Sequence, residues 1–169
     1  MILYPKFYLD SVKDINIEFI KENRIQGLLI DVDNTLIDTK SNLLDGLDKW
    51  CTNIKKIGVK ICILSNTSNE KKVKIIANKL DIPYVFFAKK PLRSAFLKGK
   101  KKIGINENEN IAVVGDQIFT DILGANISKM ISILVKPVSK KDLWHTKIKR
   151  PIENIIIKKY CKKNNENNV

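Results

Sequence analysis

The chain has 169 residues and 44% hydrophobic content, the usual size of one domain and enough to build one core. Lys and Arg total 31 against 18 Asp and Glu, a net charge of +13, so positive surface is expected to attract nucleic acid, anionic membrane or phosphorylated small molecules. Cys51, Cys62 and Cys161 form no CxxC pair and His145 is the only histidine, which argues against structural zinc and a disulfide framework and fits a reducing cytosol. No apolar run approaches the roughly 20 residues that span a bilayer, and no basic segment followed by a long apolar stretch opens the chain. A cytoplasmic protein without a transmembrane segment is the expectation.

Residues 1–25 read as an accessory segment, with Val12, Ile15, Phe19 and Ile20 spaced for a helix packed on a sheet. Short apolar runs at 28–30, 59–64, 84–87, 111–114 and 131–135 read as buried strands. Between them, 43–57, 70–80, 91–103 and 118–127 carry helical spacing or strong helix formers. Strands alternating with helices of this length predict consecutive βαβ units, hence an α/β fold: a three-layer, doubly wound, Rossmann-like parallel sheet. A basic stretch over 136–160 comes after the last strand, and 161–169 reads as a disordered Lys/Asn-rich tail. Residues 1–160 are expected to form a single domain, because no repeat or Gly/Ser-rich linker divides them.

In a parallel sheet, ligands bind beyond the carboxyl ends of the strands, so the residues just past each run carry the chemistry. The first strand ends in Asp31-Val32-Asp33-Asn34-Thr35 and the second in Ser65-Asn66-Thr67. The third is followed by Lys89-Lys90-Pro91, and the fourth by Gly115-Asp116 with Asp121 five residues later. Asp31 and Asp33 can both face one cavity where the chain turns out of its strand. With Asp116 they supply the hard oxygen that Mg²⁺ prefers, and such a cation screens a carboxylate from a phosphate. Ser65 and Lys90 offer a hydrogen bond and a positive charge to phosphoryl oxygens. Pro91 suits a first helical position, which would set Lys90 at a helix N-terminus.

These segments match, in order, the four motifs of the haloacid dehalogenase (HAD) superfamily, which the sequence resembles over roughly residues 26 to 135. The resemblance implies a phosphoric monoester hydrolase in which Asp31 attacks phosphorus to form an aspartyl-phosphate, while Asp33 protonates the leaving oxygen and then activates water. It implies Mg²⁺ held by Asp31, the backbone carbonyl of Asp33, and Asp116, with Asp121 in the metal's outer shell or orienting Lys90. Thr35, Ser65, Asn66 and Lys90 would bind the phosphate. Crowding of Asp33 with Asp31 is expected to raise one carboxylate's pKa. Asp38 and Thr39 read as loop residues.

Neither position where this superfamily inserts a cap has room for one, so an open site is expected, suited to macromolecular or interfacial substrates or closed by a neighbouring subunit. Leu3, Pro5, Tyr8 and Ser11, the run from Gly115 to Asp121 with Gly124 and Asn126, and Thr146, Arg150 and Glu153 resemble the YqeG branch of capless subfamily IIIA phosphatases. Lys149 stands where that branch leads one to expect Asn. The branch is related to phosphatidylglycerophosphate phosphatases, which implies a lipid phosphomonoester in phospholipid biosynthesis and peripheral contact with an anionic membrane. Lys98, Lys100, Lys101, Lys102, Lys140, Lys141, Lys147, Lys149 and Arg150 could supply that contact, with Trp144 at the interface and Trp50 a packing residue. A soluble nucleotide or sugar phosphate as substrate, or an RNA- or ribosome-binding role, are the alternatives. No heptad seam marks an oligomer interface.

Overall fold

The computed structural model describes residues 1–139 and 150–166. Among these, six strands form one parallel sheet: β1 (Phe7–Leu9), β2 (Gly27–Ile30), β3 (Lys60–Leu64), β4 (Tyr84–Val85), β5 (Ile111–Gly115) and β6 (Ile131–Val135), in the order β1-β6-β5-β2-β3-β4. β2, β5 and β6 are buried along their whole length, which is why they read as continuous apolar runs rather than alternating ones. From β2 the chain winds outward through β3 to β4, then returns to β5 on the other side of β2. That reversal sets the crevice at the carboxyl ends of β2 and β5.

Among the described residues six α-helices accompany the sheet: α1 (Ile17–Glu22), α2 (Leu47–Lys56), α3 (Glu70–Leu80), α4 (Arg93–Ile103), α5 (Leu123–Ile127) and α6 (Arg150–Glu166). Successive strand residues point to opposite faces, so Leu28 and Ile30 join Ile61, Ile63, Ala112 and Val114 in one core against α1, α2 and α3. Leu29, Cys62, Leu64 and Val113 join the opposite core against α4 and α5. Ile156 and Ile157 of α6 pack on Leu134, Ile118 and Ile122 in a third cluster. Cys62 is the small buried hydrophobe the sequence suggests, its thiol pushed up to about 12 by burial. Trp50 is a packing residue on the first core, its indole N–H donating to the Ile15 carbonyl at 3.0 Å.

Several elements depart from the sequence-based expectation. The accessory segment contributes an edge strand, β1, paired with β6, as well as the short α1; Val12, Ile15 and Ile20 are buried there, but not on one continuous helix. Residues 36–44 form a small hairpin, so α2 begins at Leu47. Asp38 closes that hairpin, its carboxylate accepting from the backbone of Lys40 and Asn42. β4 stops at Val85. α4 starts at Arg93 with Leu92 as N-cap, so Lys90 does not stand at the helix N-terminus. The Lys90–Pro91 peptide bond is cis. Residues 161–166, expected in an unstructured tail, continue α6. Between β2 and β3, and between β3 and β4, there is no cap domain.

Candidate active site

Asp31 follows β2 directly, its backbone N–H donating to the Val114 carbonyl of the neighbouring β5 at 2.9 Å. This carries the carboxylate to the carboxyl edge of the sheet's centre, where it is buried. The buried Lys90 ammonium donates to Oδ1 of Asp31 and to Oδ1 of Asp121, each at 2.6 Å. Burial works against the charge of Lys90, but Asp121 and Asp31 outweigh it and hold the ammonium firmly protonated. Burial raises Asp31 to about 7; Lys90 opposes that rise, while Asp121 and Asp33 add to it. The upward shift expected from carboxylate crowding thus falls on Asp31, with burial as its main cause.

Asp121 is held from both sides. Its Oδ2 accepts from the Gln117 N–H at 3.2 Å and the Thr120 hydroxyl at 3.3 Å, while Oδ1 takes Lys90. Residue 115 must be glycine for this: a Cβ there would lie 2.2 Å from Cγ of Asp121. The turn 118–122 that carries Asp121 is fixed in turn by α6, where the buried Glu153 carboxylate accepts from the N–H groups of Ile118 at 2.8 Å and Phe119 at 3.2 Å. Gly124 lets α5 approach closely, since a Cβ would meet the Phe96 ring at 2.2 Å and Cα of Pro91 at 3.2 Å.

Asp31, Asp116 and Asp121, all buried, offer carboxylate oxygens within 4.8 Å of one another. Hard carboxylate oxygens at this spacing suit a divalent cation. The carboxylate of Asp33 is not in this group. It forms an ion pair with Lys72 of α3, both side chains about a quarter exposed at the rim. Thr35 is buried, and its hydroxyl lacks a hydrogen-bond partner among the described residues, a polar atom left for a ligand. Ser65 is buried beyond β3, its hydroxyl accepting from the Thr67 N–H at 3.2 Å.

Asn66, expected to contact the phosphate, also braces Lys90. Its amide accepts from the Lys90 N–H at 2.7 Å and donates to the Lys90 carbonyl at 3.0 Å, which clamps the backbone that carries the ammonium. Asn34, in the left-handed region that Asn tolerates, ties the loop after β2 to the segment after β6: its Oδ1 accepts from the Ser139 N–H at 2.9 Å. Sequence reasoning missed Lys72, which sits in a lysine-rich run that reads as solvated surface. The cue was position: Asn69 caps α3 by accepting from the Lys72 N–H, so this lysine stands in the first turn after the Ser65 loop. Of the basic residues expected at a membrane, Lys100 is occupied by Asn106 and Asn108 at 2.5 Å each. Lys140, Lys141, Trp144, Thr146, Lys147 and Lys149 lie outside the described residues.

A family model described as mitochondrial PGP phosphatase matches residues 1–139. The chain belongs to that family. A probable phosphatase YqeG of Bacillus subtilis is 34% identical over 154 residues, covering 90% of this chain and 88% of the relative. The fold is also that of a Listeria monocytogenes protein of unknown function, with a TM-score of 0.53 at 18% identity, covering 70% of this chain and 86% of that one. An HAD phosphatase from Thermococcus onnurineus gives 0.51 at 17%, covering 61% and 51%. As a member of the PGP phosphatase family the chain is an enzyme, a phosphatase. Among its described residues no helix is long and apolar enough to cross a membrane.

Proposed function

We propose that this phosphatase hydrolyses a phospholipid monoester, phosphatidylglycerophosphate, to phosphatidylglycerol and inorganic phosphate, through an aspartyl-phosphate on Asp31. The observation that carries the mechanism is the buried Asp31–Lys90–Asp121 bridge beside Asp116. The family description and the uncapped carboxyl face support the lipid substrate.

In this reading an Asp31 carboxylate oxygen attacks phosphorus opposite the ester oxygen. The P–O ester bond breaks, its electron pair leaves on the glycerol oxygen, and Asp33 gives that oxygen its proton. Water then attacks the acyl phosphate, Asp33 takes the proton, and the P–O bond to Asp31 breaks to return the free carboxylate and release phosphate. Lys90, kept cationic by Asp121 and fixed by Asn66, balances charge on the equatorial oxygens. Thr35 and Ser65 offer hydroxyls to the same oxygens. Lys72 orients Asp33 at the rim. Asp31 and Asp116, with the backbone carbonyl of Asp33, would hold Mg²⁺; when bound, the ion supplies the positive charge that lets an anionic nucleophile meet an anionic ester.

The test is to trap the intermediate. Wild type mixed with phosphate-labelled substrate and Mg²⁺ and quenched in acid should retain label that hydroxylamine releases, whereas Asp31→Asn should retain none. Turnover by wild type with no acid-stable, hydroxylamine-labile label on the protein, even in rapidly quenched samples, would contradict the covalent mechanism.

A further inference from the structure

The loop from β4 to α4 carries two apolar choices that stability does not explain. Phe87 holds a left-handed backbone, φ 46°, where a bulky side chain is strained, yet the residue is 53% exposed. Leu92 occupies the N-cap of α4, a place that favours Ser, Thr, Asp or Asn; it makes no side-chain cap and is 57% exposed. Phe86, 36% exposed, stands beside them. Strain and a missing cap both cost stability, and neither the Phe87 nor the Leu92 side chain belongs to a core cluster, which directs them to a contact outside the fold.

The position of this loop identifies that contact. Its backbone is stitched to the active-site loop, the Phe87 N–H donating to the Thr67 carbonyl and the Ala88 N–H to the Ser65 carbonyl, both at 2.9 Å. The buried Lys90 lies between the two exposed apolar side chains in sequence. Cations flank the apolar tips. The Lys89 ammonium stands 5.2 Å from the Phe87 ring centroid, Arg93 follows Leu92, and an adjoining groove of about 770 Å³ is lined by Val85, Phe86, Lys98, Lys101 and Lys102, with one acid, Glu70, bonded to the Tyr84 hydroxyl. Aromatic and aliphatic tips ringed by lysine match the boundary of an anionic bilayer, where rings and Leu sit at the headgroup level and ammonium groups meet phosphate. A chain of charge +13 adds long-range attraction to the same surface.

We infer that the 86–93 loop is a membrane-docking surface, with Phe87 and Leu92 inserting at the headgroup boundary of an anionic phospholipid bilayer and Lys89 and Arg93 contacting its phosphates. This rests on the lipid-monoester reading and deepens it, because docking there brings a bilayer phosphomonoester to Lys90 without lifting the lipid out.

The test compares full-length wild type with Leu92→Gln and with Phe87→Asn, which tolerates positive φ, in co-sedimentation with two kinds of vesicle. One is phosphatidylcholine alone; the other is phosphatidylcholine mixed with phosphatidylglycerol. Wild type should pellet with the mixed vesicles far more than with the neutral ones. Each variant should lose at least about tenfold in partition, with turnover of para-nitrophenyl phosphate unchanged. Variants that bind mixed vesicles as wild type does would overturn the docking surface and leave the lipid substrate standing. Wild type that pellets with neither vesicle would also overturn it; phosphate release from phosphatidylglycerophosphate dispersed in detergent judges the substrate separately. Self-association that Leu92→Gln abolishes, without vesicle binding, would give the loop to a second copy of the chain and overturn the proposal.

Discussion

Asp31 is both the nucleophile of the proposed reaction and a burden on the fold. Its carboxyl, ordinarily near 3.8, is raised to about 7 chiefly by burial. Because the folded-state value lies above the unfolded one, the protonated carboxyl contributes stability that is fully present below pH 3.8 and lost as the pH rises through about 7. Asp31→Asn, a neutral isostere, should therefore stabilise the metal-free protein by ~1–2 kcal/mol at pH 8 and by much less at pH 5, as thermal unfolding at the two pH values would read. An equal gain at both values, or none, would remove burial of this charge from the account. Lys72 gives a second prediction. Lys72→Met should lower kcat by roughly tenfold, less than loss of the acid–base itself, and change its pH profile; Lys72→Arg should restore most of both. Unchanged kcat would leave the Asp33 ion pair a surface contact.

The elements deliver these residues with little slack. Gly115→Ala would drive a Cβ into Asp121, so it should cost ~1–3 kcal/mol as an overpacking change and reduce kcat by about a hundredfold through Lys90. A variant that keeps full activity would mean Asp121 need not hold the lysine. Glu153→Ala should leave two backbone donors of the turn 118–122 without their acceptor and cost ~2–3 kcal/mol, while Glu153→Gln keeps an acceptor and should recover most of it, measured by urea unfolding. At this scale the sequence reading succeeded where signals were local. The buried runs of β2, β3, β5 and β6 announced themselves, and the structure brings Asp31, Lys90, Asp116 and Asp121 together beyond the strand ends. β1 did not: three half-buried residues gain strand form only by pairing with β6, more than a hundred residues away. Nor did Pro91, because a Pro before a helix looks the same whether it opens the first turn or, as here, stands two residues ahead of it. Lys72 and Asn66 were visible as residues, but their tasks depend on distances no spacing rule supplies.

For the whole molecule, the fold and the electrostatics point the same way. A sheet reversal brings three buried carboxylates together beside Lys90, and no cap domain is inserted between β2 and β4; the proposed function sets a phosphate there with its alcohol portion outside. The +13 charge makes any approach to an anionic surface salt-dependent. Binding to anionic vesicles should weaken several-fold or more when ionic strength rises from about 0.05 to about 0.5 M, while para-nitrophenyl phosphate turnover changes little; binding indifferent to salt would leave the charge without a role in docking. The proposed activity is that of a magnesium-dependent lipid phosphatase working through Asp31. It is tested most directly by phosphate release from phosphatidylglycerophosphate in vesicles, beside soluble nucleotide and sugar phosphates, for wild type and Asp31→Asn with and without Mg²⁺. Rapid, Mg²⁺-dependent release from the lipid is expected, with slow release from the soluble esters and none from the variant. Release confined to the soluble esters would contradict the lipid assignment, and release that survives Asp31→Asn would contradict the mechanism.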